Sequence, residues 1–333
     1  MKRRLLGIAA LALAAVILGP WLAVRDALAP PGGDETVVAF EVPAGASLQR
    51  VARDLESAGL VRSAWGFEWL ARWRGRAGDL RAGEYELSPR FSAGEVLAVI
   101  TAGQVKTHPV ALPEGLTAVE IAGRIEAAGL ADAGEFLAAV RDPGFVAELG
   151  VEGASLEGYL FPETYQLARG LSARAVARTL VEHFLEAWAE IAPRAEERGL
   201  SMAEVVTLAS IVEKETGAPE ERPLIAAVFL NRLRLGMRLE TDPTVIYGIP
   251  DFDGNLRRVH LEDASNPYNT YRIPGLPPGP IANPGAAALG AVVEPADTEY
   301  LYFVSRNDGT HVFSRTYREH VNAVNEFQRR RGR

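Results

Sequence analysis

The sequence predicts an α+β protein in which one small module occurs twice. FEVPAGASLQRVARDLESAGLV and VALPEGLTAVEIAGRIEAAGLA align over their length, with Pro43 and Gly45 matching Pro113 and Gly115, 70 residues apart. GEYELSPRFSAGEVL and ETYQLARGLSARAVA align with Tyr85 opposite a tyrosine 80 residues later. In both copies short β-type runs alternate with amphipathic helical patterns, so the repeat indicates a duplicated α+β unit.

The N-terminal residues predict a membrane helix. After the basic start MKRR, the apolar run LLGIAALALAAVILGPWLAV is about as long as a helix must be to cross a bilayer. The basic residues favour a cytoplasmic N-terminus, with the rest of the chain outside. We assign a cytoplasmic tail to 1–4, the membrane helix to 5–24 and a linker to 25–36. A cleaved signal peptide is the alternative, because 27–29 read Ala-Leu-Ala.

Each copy of the module predicts the order β-α-α-β followed by a further helix. Ser47 and Thr117 are placed to cap the first helix of their copies, and a glycine ends each helix. FEWLARW and EFLAAV predict the second helix. Because the offset grows from 70 to 80, the second copy contains ten additional residues.

The additional residues include much of SLEGYLFP, where aromatic residues stand beside a carboxylate. Aromatic rings and carboxylates are the residue types that stack on sugars and hydrogen-bond to them. We therefore predict Tyr159 and Phe161 as glycan contacts, near Glu157. The alternative is that these rings join the two halves of the fold.

The stretch TLASIVEKETG predicts the end of an apolar helix that carries two glutamates. Glu213 and Glu215 are about 200° apart around a helix axis, so both cannot face one cleft. Glu215 falls between Leu208 and Ile211, which predicts stronger desolvation and a pKa raised towards that of a general acid. The alternative is that both glutamates form surface ion pairs with neighbouring cations.

The two stretches that follow predict a helix and a strand. ERPLIAAVFLNRLRLG has a helical pattern in which Asn231 shares a stripe with Leu224, Val228 and Leu235. An asparagine among apolar residues needs partners, so it either holds a loop or touches a polar ligand. MRLETDPTVIYG predicts a strand around 245–247.

Prolines and glycines in NPYNTYRIPGLPPGPIANPG exclude regular structure there. Such a long loop in a compact chain is often functional, and it supplies Tyr268, Asn269 and Tyr271 as sugar contacts. Farther on, two β-type runs flank Asn-Asp-Gly in YLYFVSRNDGTHVFS, which predicts a hairpin.

Composition argues against several classes of function. The chain has 35 basic and 43 acidic residues and a net charge of -8, which argues against a nucleic-acid partner. It has no cysteine, which excludes disulfides and thiolate catalysis. Its five histidines show no metal-ligand spacing, so we predict neither a metal nor a cofactor.

Several motifs together resemble one family. LEGYLFPETY, ASIVEKETG, VFLNRL, GMRLETDPTVIYG, NPYNTYRIPGLPPGPIANPG and YLYFVSRNDGTHVFS are similar to the successive signatures of the MltG (YceG-like) family of membrane-anchored endolytic murein transglycosylases. The resemblance covers nearly the whole chain after the anchor. It implies a LysM-like module, here over 37–106, and a catalytic domain over 107–333.

The resemblance also implies an activity and a location. Members of the family are lyases that cut the MurNAc-GlcNAc bond of nascent peptidoglycan strands and leave 1,6-anhydro-MurNAc ends, which limits strand elongation. The family's catalytic acid is the second glutamate of its EKE motif, here Glu215. The expected partners are glycan strands, the inner membrane and peptidoglycan synthases, with the catalytic domain in the periplasm. Thr241 and Asp242, in the TDPT motif, join the candidates for glycan contact or support.

One departure from the family keeps a second mechanism open. The residue before TDPT is commonly glutamine in the family, whereas here it is Glu240. With Asp242 and Glu163, it provides candidates for the second carboxylate that a hydrolysing muramidase requires. A non-catalytic peptidoglycan-binding scaffold is the other alternative.

Overall fold

The computed structural model describes residues 18–33 and 36–329. The chain is mixed α+β, as predicted, with three two-stranded sheets among the described residues and a larger share of helix. It divides into two compact units. The first unit comprises the described residues up to His108 together with Gln166–Gly170, and the second comprises Pro109–Tyr165 and the described residues from Leu171 onward.

The predicted membrane helix over 5–24 lies largely outside the described residues. Residues 18–28 are helical. Within 18–33 and 36–329, none of the helices has the length and hydropathy that crossing a bilayer requires.

The first unit has the predicted β-α-α-β order with one more helix. Its antiparallel strands pair Val38 with Leu87, and Ser47 caps the first helix by accepting from Arg50 N–H. Apolar residues drawn from 40–100 form one core between the helices and the sheet. The elements are β1 (Val38–Val42), α1 (Leu48–Ser57), α2 (Ala64–Trp73), β2 (Gly83–Leu87) and α3 (Ala93–Ala102).

The second copy repeats this order, which confirms the duplication predicted from sequence. Thr117 caps the first helix through a capping box with Glu120. The additional residues form an extra short helix and an irregular segment before the last strand. The elements are β3 (Thr107–Ala111), α4 (Ala118–Ala127), α5 (Ala133–Val140), α6 (Pro143–Glu148), β4 (Thr164–Ala168), which pairs with β3, and α7 (Ala173–Glu197).

The next helix is α8 (Met202–Glu215), whose residues 205–212 are buried without interruption. The helix contacts α9 (Arg222–Arg234) and α12 (Ala286–Val293). The predicted hairpin is confirmed, with Phe303 opposite Phe313. The other elements are a 3-10 turn (Pro219–Glu221), α9 (Arg222–Arg234), α10 (Asp242–Tyr247), α11 (Arg258–Glu262), α12 (Ala286–Val293), β5 (Tyr302–Ser305), β6 (His311–Ser314), α13 (Tyr317–Val324) and a π-helical turn (Asn325–Arg329).

The strand predicted around 245–247 is wrong, because these residues belong to the helix α10. Pro243 stands in its first turn, where a missing N–H costs nothing and the fixed φ favours a helix. The β-branched residues Thr244 and Val245, which suggested a strand, are buried on this short helix.

The buried stripe predicted for α9 is rotated from its predicted position. Leu235 is 56% exposed, whereas Ile225, Val228 and Arg232 are buried. The helix therefore turns Arg232 inward, a residue outside the predicted stripe, and this arginine lies close to the candidate site.

Candidate active site

Glu215 is the last residue of α8. The helix begins with a capping box between Ser201 and Glu204, and the extended backbone of Thr216 ends it. Because 205–212 are buried along the whole helix, the position of its C-terminus is fixed by the core. The structure therefore holds the Glu215 carboxyl on a rigid element, partly exposed at its end.

The surroundings of Glu215 favour its protonated form. Burial raises the pKa of Glu215 to about 7, against a hydrogen bond from the Thr241 hydroxyl to Oε1, which lowers it. The charge of Asp242 raises the pKa further, and His311 and Arg232 oppose that effect. A carboxylate at a helix C-terminus is also disfavoured by the helix dipole. Near pH 7 this carboxyl can therefore both donate and accept a proton.

Glu213 has a different environment, although it lies only two residues away. Its side chain is 5% exposed and bonds to Arg222 Nη2 at 2.9 Å. It also accepts from the N–H of Gly285, at 3.1 Å, at the start of α12. A carboxylate at a helix N-terminus stabilises that helix, so Glu213 ties α8, α9 and α12 together.

A cluster of threonines holds the partner of Glu215 in place. Thr241 is buried, and its N–H donates to Thr270 Oγ1 at 3.1 Å. Thr244 Oγ1 donates to the Thr241 carbonyl at 2.8 Å and lies 2.8 Å from Thr270 Oγ1. Just before Thr241, Glu240 has a left-handed backbone with φ of 51°, a conformation that costs a residue other than glycine about 1 kcal/mol or more.

The predicted second carboxylates fall in two places. Glu240 and Asp242 flank Thr241, next to Glu215. Glu240 Oε2 is 3.8 Å from Arg232 Nη1, and Asp242 Oδ1 accepts from the Tyr271 hydroxyl at 2.7 Å. Glu163, which precedes β4, instead pairs with His183 of α7 at 2.6 Å.

Three of the predicted glycan contacts have buried or internal positions. Tyr159 is fully buried and its hydroxyl bonds to the Glu152 carbonyl, so its predicted contact with a sugar is wrong. Asn269 is also fully buried and donates to the carbonyls of three residues in 260–263. Asn231 donates to the Thr298 and Tyr300 carbonyls, so it holds a loop, one of its two predicted roles.

The other predicted aromatic contacts keep part of their surface exposed. Tyr271 binds Asp242, as described, and burial raises its pKa. Tyr268 packs edge-on against Tyr247, with ring centroids 4.8 Å apart. Phe161 is partly exposed and its carbonyl accepts from Tyr165.

Two groups that support the site were missed from the sequence. Arg232 donates to the carbonyls of Leu239 and Leu301, at 2.7 Å each, and burial lowers its pKa. In the sequence, Arg232 has helical spacing with Ile225 and Val228, and this spacing could have indicated that its side chain is buried. The second is a pair formed by His311 of β6 and the buried Glu221, with Nδ1 and Oε2 2.6 Å apart.

The Glu221 carboxylate also accepts from Thr216, the residue after Glu215, at 3.3 Å. Burial alone would raise the pKa of Glu221, but the hydrogen bonds from His311 lower it. The pair thereby fixes the end of α8 against the hairpin. No sequence pattern predicts it, because His311 and Glu221 are 90 residues apart.

Glu157, in the segment added to the second copy, is a further buried carboxyl. Its oxygens accept from the Ala118 N–H, from Asn283 Nδ2 at 2.9 Å and from the Tyr247 hydroxyl at 3.2 Å. Burial raises the pKa of Glu157 to about 7, and these bonds oppose that effect.

Glu157 also lines a groove of about 1010 Å³ whose walls include Tyr247, Phe252, Arg141 and Lys214. Lys214 and Pro243 stand in this wall next to Glu215 and Asp242 in the sequence. Neither Glu215 nor Asp242 lines the groove itself.

The fold and the site define a class. It is an α+β protein that presents one proton-exchanging carboxyl at the end of a buried helix, held by the Thr241 hydroxyl and next to the Asp242–Tyr271 pair. A family model described as the YceG-like family matches residues 40–326. The chain belongs to the YceG-like family.

Relatives with curated names are similar over most of this chain. A Bacillus subtilis protein named endolytic murein transglycosylase is 29% identical over 329 residues, which cover 94% of this chain and 91% of that protein. A Streptococcus pneumoniae protein of the same name is 29% identical over 317 residues, covering 85% of this chain but 57% of that protein. The crystal structure of a yceG-like protein from Listeria monocytogenes has a TM-score of 0.60 and 32% identity, and covers 87% of this chain and 99% of that one.

Proposed function

We propose that this protein is a peptidoglycan lytic transglycosylase that cuts the MurNAc-GlcNAc bond within nascent glycan strands and leaves 1,6-anhydro-MurNAc ends. Cleavage of growing strands would limit their elongation. The proposal takes its substrate class from the names of the relatives. Its chemistry comes from one observation: the Glu215 carboxyl lies at the end of a buried helix with the Thr241 hydroxyl on Oε1, where desolvation raises its pKa to about 7.

One carboxyl suffices for this reaction when the nucleophile belongs to the substrate. Glu215 donates its proton to the glycosidic oxygen, and the bond from that oxygen to C1 of the muramoyl residue breaks. The C6 hydroxyl of the same residue then bonds to C1, and its proton returns to Glu215. A 1,6-anhydro ring closes, no water is consumed, and the acid is restored.

The neighbours of Glu215 have supporting roles in this proposal. Thr241 orients the carboxyl, and Asp242 with Tyr271 offers a polar edge for a sugar hydroxyl. The positive charge of Arg232 limits how far burial can raise the pKa of Glu215. Phe161 and Tyr268 stay candidates for glycan contact.

The location of the protein is part of the proposal. The apolar run over 5–24 would anchor the chain in the inner membrane, with the catalytic domain on the periplasmic side. Residues 37–106 would form a LysM-like module. Synthases of the strand would act nearby, since a nascent strand is the substrate.

Mass spectrometry of the cleavage products tests the reaction. The full-length protein is incubated with uncrosslinked glycan strands, wild type beside Glu215→Gln. Glu220→Gln is the matched control, because it makes the same change at an exposed glutamate five residues farther on. We expect anhydro-muramoyl ends from the wild type and the control, and none from Glu215→Gln.

The other outcomes identify the alternatives. Reducing ends in place of anhydro ends would contradict the lyase and favour a muramidase. In that case, products lost in Glu240→Gln or Asp242→Asn but retained in Glu163→Gln would identify the second carboxylate next to Glu215. Strands bound but not cut by the wild type would favour a scaffold. Wild-type turnover by Glu215→Gln would refute its role as the acid.

A further inference from the structure

The helix α2 in the first unit exposes three tryptophans on one face. Trp65, Trp69 and Trp73 are 60%, 38% and 70% exposed. A spacing of four residues places them along one side of the helix, while Phe67 and Leu70 face the core. Large aromatic rings grouped on a surface mark an interaction site. We call these three residues the Trp face.

The Trp face is joined to the helix over 18–28, which contains the end of the N-terminal apolar run and the residues just after it. A Cβ on Gly66 would lie 2.9 Å from Ala27 Cβ, so α2 and the helix over 18–28 are in close contact. Arg62, just before α2, bonds to Asp26 at 2.6 Å and to the Pro30 carbonyl at 2.8 Å. These contacts fix the orientation of α2 against the end of that helix.

The helix over 18–28 continues the apolar surface. Leu18, Trp21 and Leu22 are 54%, 55% and 47% exposed. At 1.5 Å per residue, Leu18 lies about 14 Å from the contact at Ala27. The residues that precede it belong to the apolar run, so on the proposed anchoring the membrane begins within that distance of α2.

The chemistry of the Trp face fits a bilayer surface better than a sugar. Tryptophan prefers the interface between headgroups and acyl chains. The rings of Trp69 and Trp73 stack on each other, with centroids 5.8 Å apart and planes at 4°, so the sides that face each other are closed to a sugar ring. Arg72, Arg74 and Arg76 stand at the end of α2, where they can meet lipid phosphates.

We propose that the Trp face lies in the headgroup region of a phospholipid bilayer and holds the first unit on the membrane surface. The inference rests on the proposed anchoring and adds a second, lateral attachment to it. The first unit would then be a membrane-contacting module, whose distance from the bilayer is fixed by α2 and not by the linker.

The absence of cysteine makes a depth measurement direct, because one introduced thiol is the sole labelling site. The full chain is reconstituted in vesicles of zwitterionic and anionic phospholipid, with a nitroxide at Trp73→Cys. Gln49→Cys is the control, an exposed position on α1 of the same unit. Relaxation by oxygen, which partitions into lipid, is compared with relaxation by a water-soluble nickel chelate.

We expect the ratio of oxygen to nickel relaxation to be several-fold higher at Trp73→Cys than at Gln49→Cys. Trp65→Cys repeats the measurement at the other end of the face and should agree. Equal, water-like ratios at all three positions would overturn the proposal. Glycan strands that immobilise the label at Trp73→Cys while oxygen access stays low would assign the face to peptidoglycan and also overturn it.

Two further readouts separate this proposal from the proposed function. Flotation of the full chain with vesicles tests the anchor, and failure to float would overturn the anchor and the Trp face together. Cleavage of free strands tests the reaction. The triple change Trp65→Ser, Trp69→Ser and Trp73→Ser should leave flotation and cleavage of free strands unchanged and abolish the high oxygen access of a label at Arg76→Cys.

Discussion

Desolvation raises the pKa of both Glu215 and Glu157 to about 7, yet the hydrogen bonds of the two carboxyls differ. Glu157 accepts from a backbone N–H, an amide and a phenol on three separate segments. Glu215 has the Thr241 hydroxyl, and the rest of its surface is partly open.

The comparison shows that a raised pKa does not by itself identify an acid catalyst. A carboxyl whose lone pairs are all used by the protein is part of the framework. A carboxyl with unused lone pairs at the end of a rigid helix can exchange a proton with a ligand.

The largest expected difference is in the rate of catalysis. Glu215→Gln should reduce strand cleavage by about a thousandfold, since general acid–base catalysis contributes roughly 10² to 10⁴. Glu157→Gln should keep a rate within a few-fold of wild type per folded molecule. Both are measured as initial rates of anhydro-end release, after circular dichroism has established the folded fraction. Equal losses in the two variants would break the comparison.

For the free energy of unfolding, we expect Glu157→Gln to have the larger effect and Glu215→Gln the smaller. In Glu157→Gln, an amide N–H₂ replaces one of two oxygens that both accept from the Ala118 N–H, so in either orientation a buried donor faces a donor, which costs about 2 kcal/mol. Glu215→Gln should unfold at the wild-type urea concentration or above it, because it removes a desolvated acid. Unfolding of Glu157→Gln at the wild-type midpoint would show that its bonds are not structural.

Both groups should make stability depend on pH in the same direction. Their folded-state pKa of about 7 lies above the ordinary 4.5, so the folded protein holds these protons more tightly than the unfolded chain. The urea midpoint should therefore be highest below pH 4.5 and fall as pH rises to about 7. Glu215→Gln should have a smaller slope than wild type over this window, whereas Glu220→Gln should keep the full slope.

Activity should follow only one of the two groups. Because the resting catalyst is the protonated acid, the rate should fall as pH rises through about 7. The Glu157→Gln protein should keep that profile, measured as initial rates between pH 5 and 9, a span of about two units on each side of the pKa. A changed midpoint in this variant would mean that the two carboxyls are coupled.

The smallest expected effect concerns Thr241. Its hydroxyl lowers the pKa of Glu215, so Thr241→Val should move the alkaline limb of the pH–rate profile upward. Thr241→Ser keeps the hydroxyl and should leave the limb in place. An identical profile for both variants would show that the hydroxyl does not act on the carboxyl.

Local patterns predicted much of the fold. The module order, the caps at Ser47 and Thr117 and the hairpin follow from residues close together in the chain. The prediction of a strand over 245–247 was wrong although it also used local residues. The β-branched residues were given more weight than Asp-Pro, which starts a helix there. The helical periodicity favoured Glu215 over Glu213 as the acid, because Glu215 lies between the bulky residues Leu208 and Ile211. The resemblance to the family pointed to the same residue.

Long-range pairs could not be predicted in this way. His311 meets Glu221, and Asn283 meets Glu157, across 90 and 126 residues. Tyr159, in an irregular segment, is buried against a ring on the helix α7, Phe184, whose centroid is 5.0 Å from its own. The local sequence pattern does not show such distant partners. Tyr159, beside a carboxylate in the sequence, was therefore predicted as a sugar contact although it is part of the core.

The bond from Glu157 to Asn283 also bears on the order in which the chain folds. The buried core of the first unit is formed by residues within 40–100. Glu157, in contrast, bonds to Asn283, which lies 126 residues farther along the chain. Contacts of such separation form late, because closing the loop costs entropy before the contact repays it. A chain that is synthesised from its N-terminus would thus form the core of the first unit early. Until residue 283 arrives, Glu157 would remain solvated, with the acidity of a free glutamate.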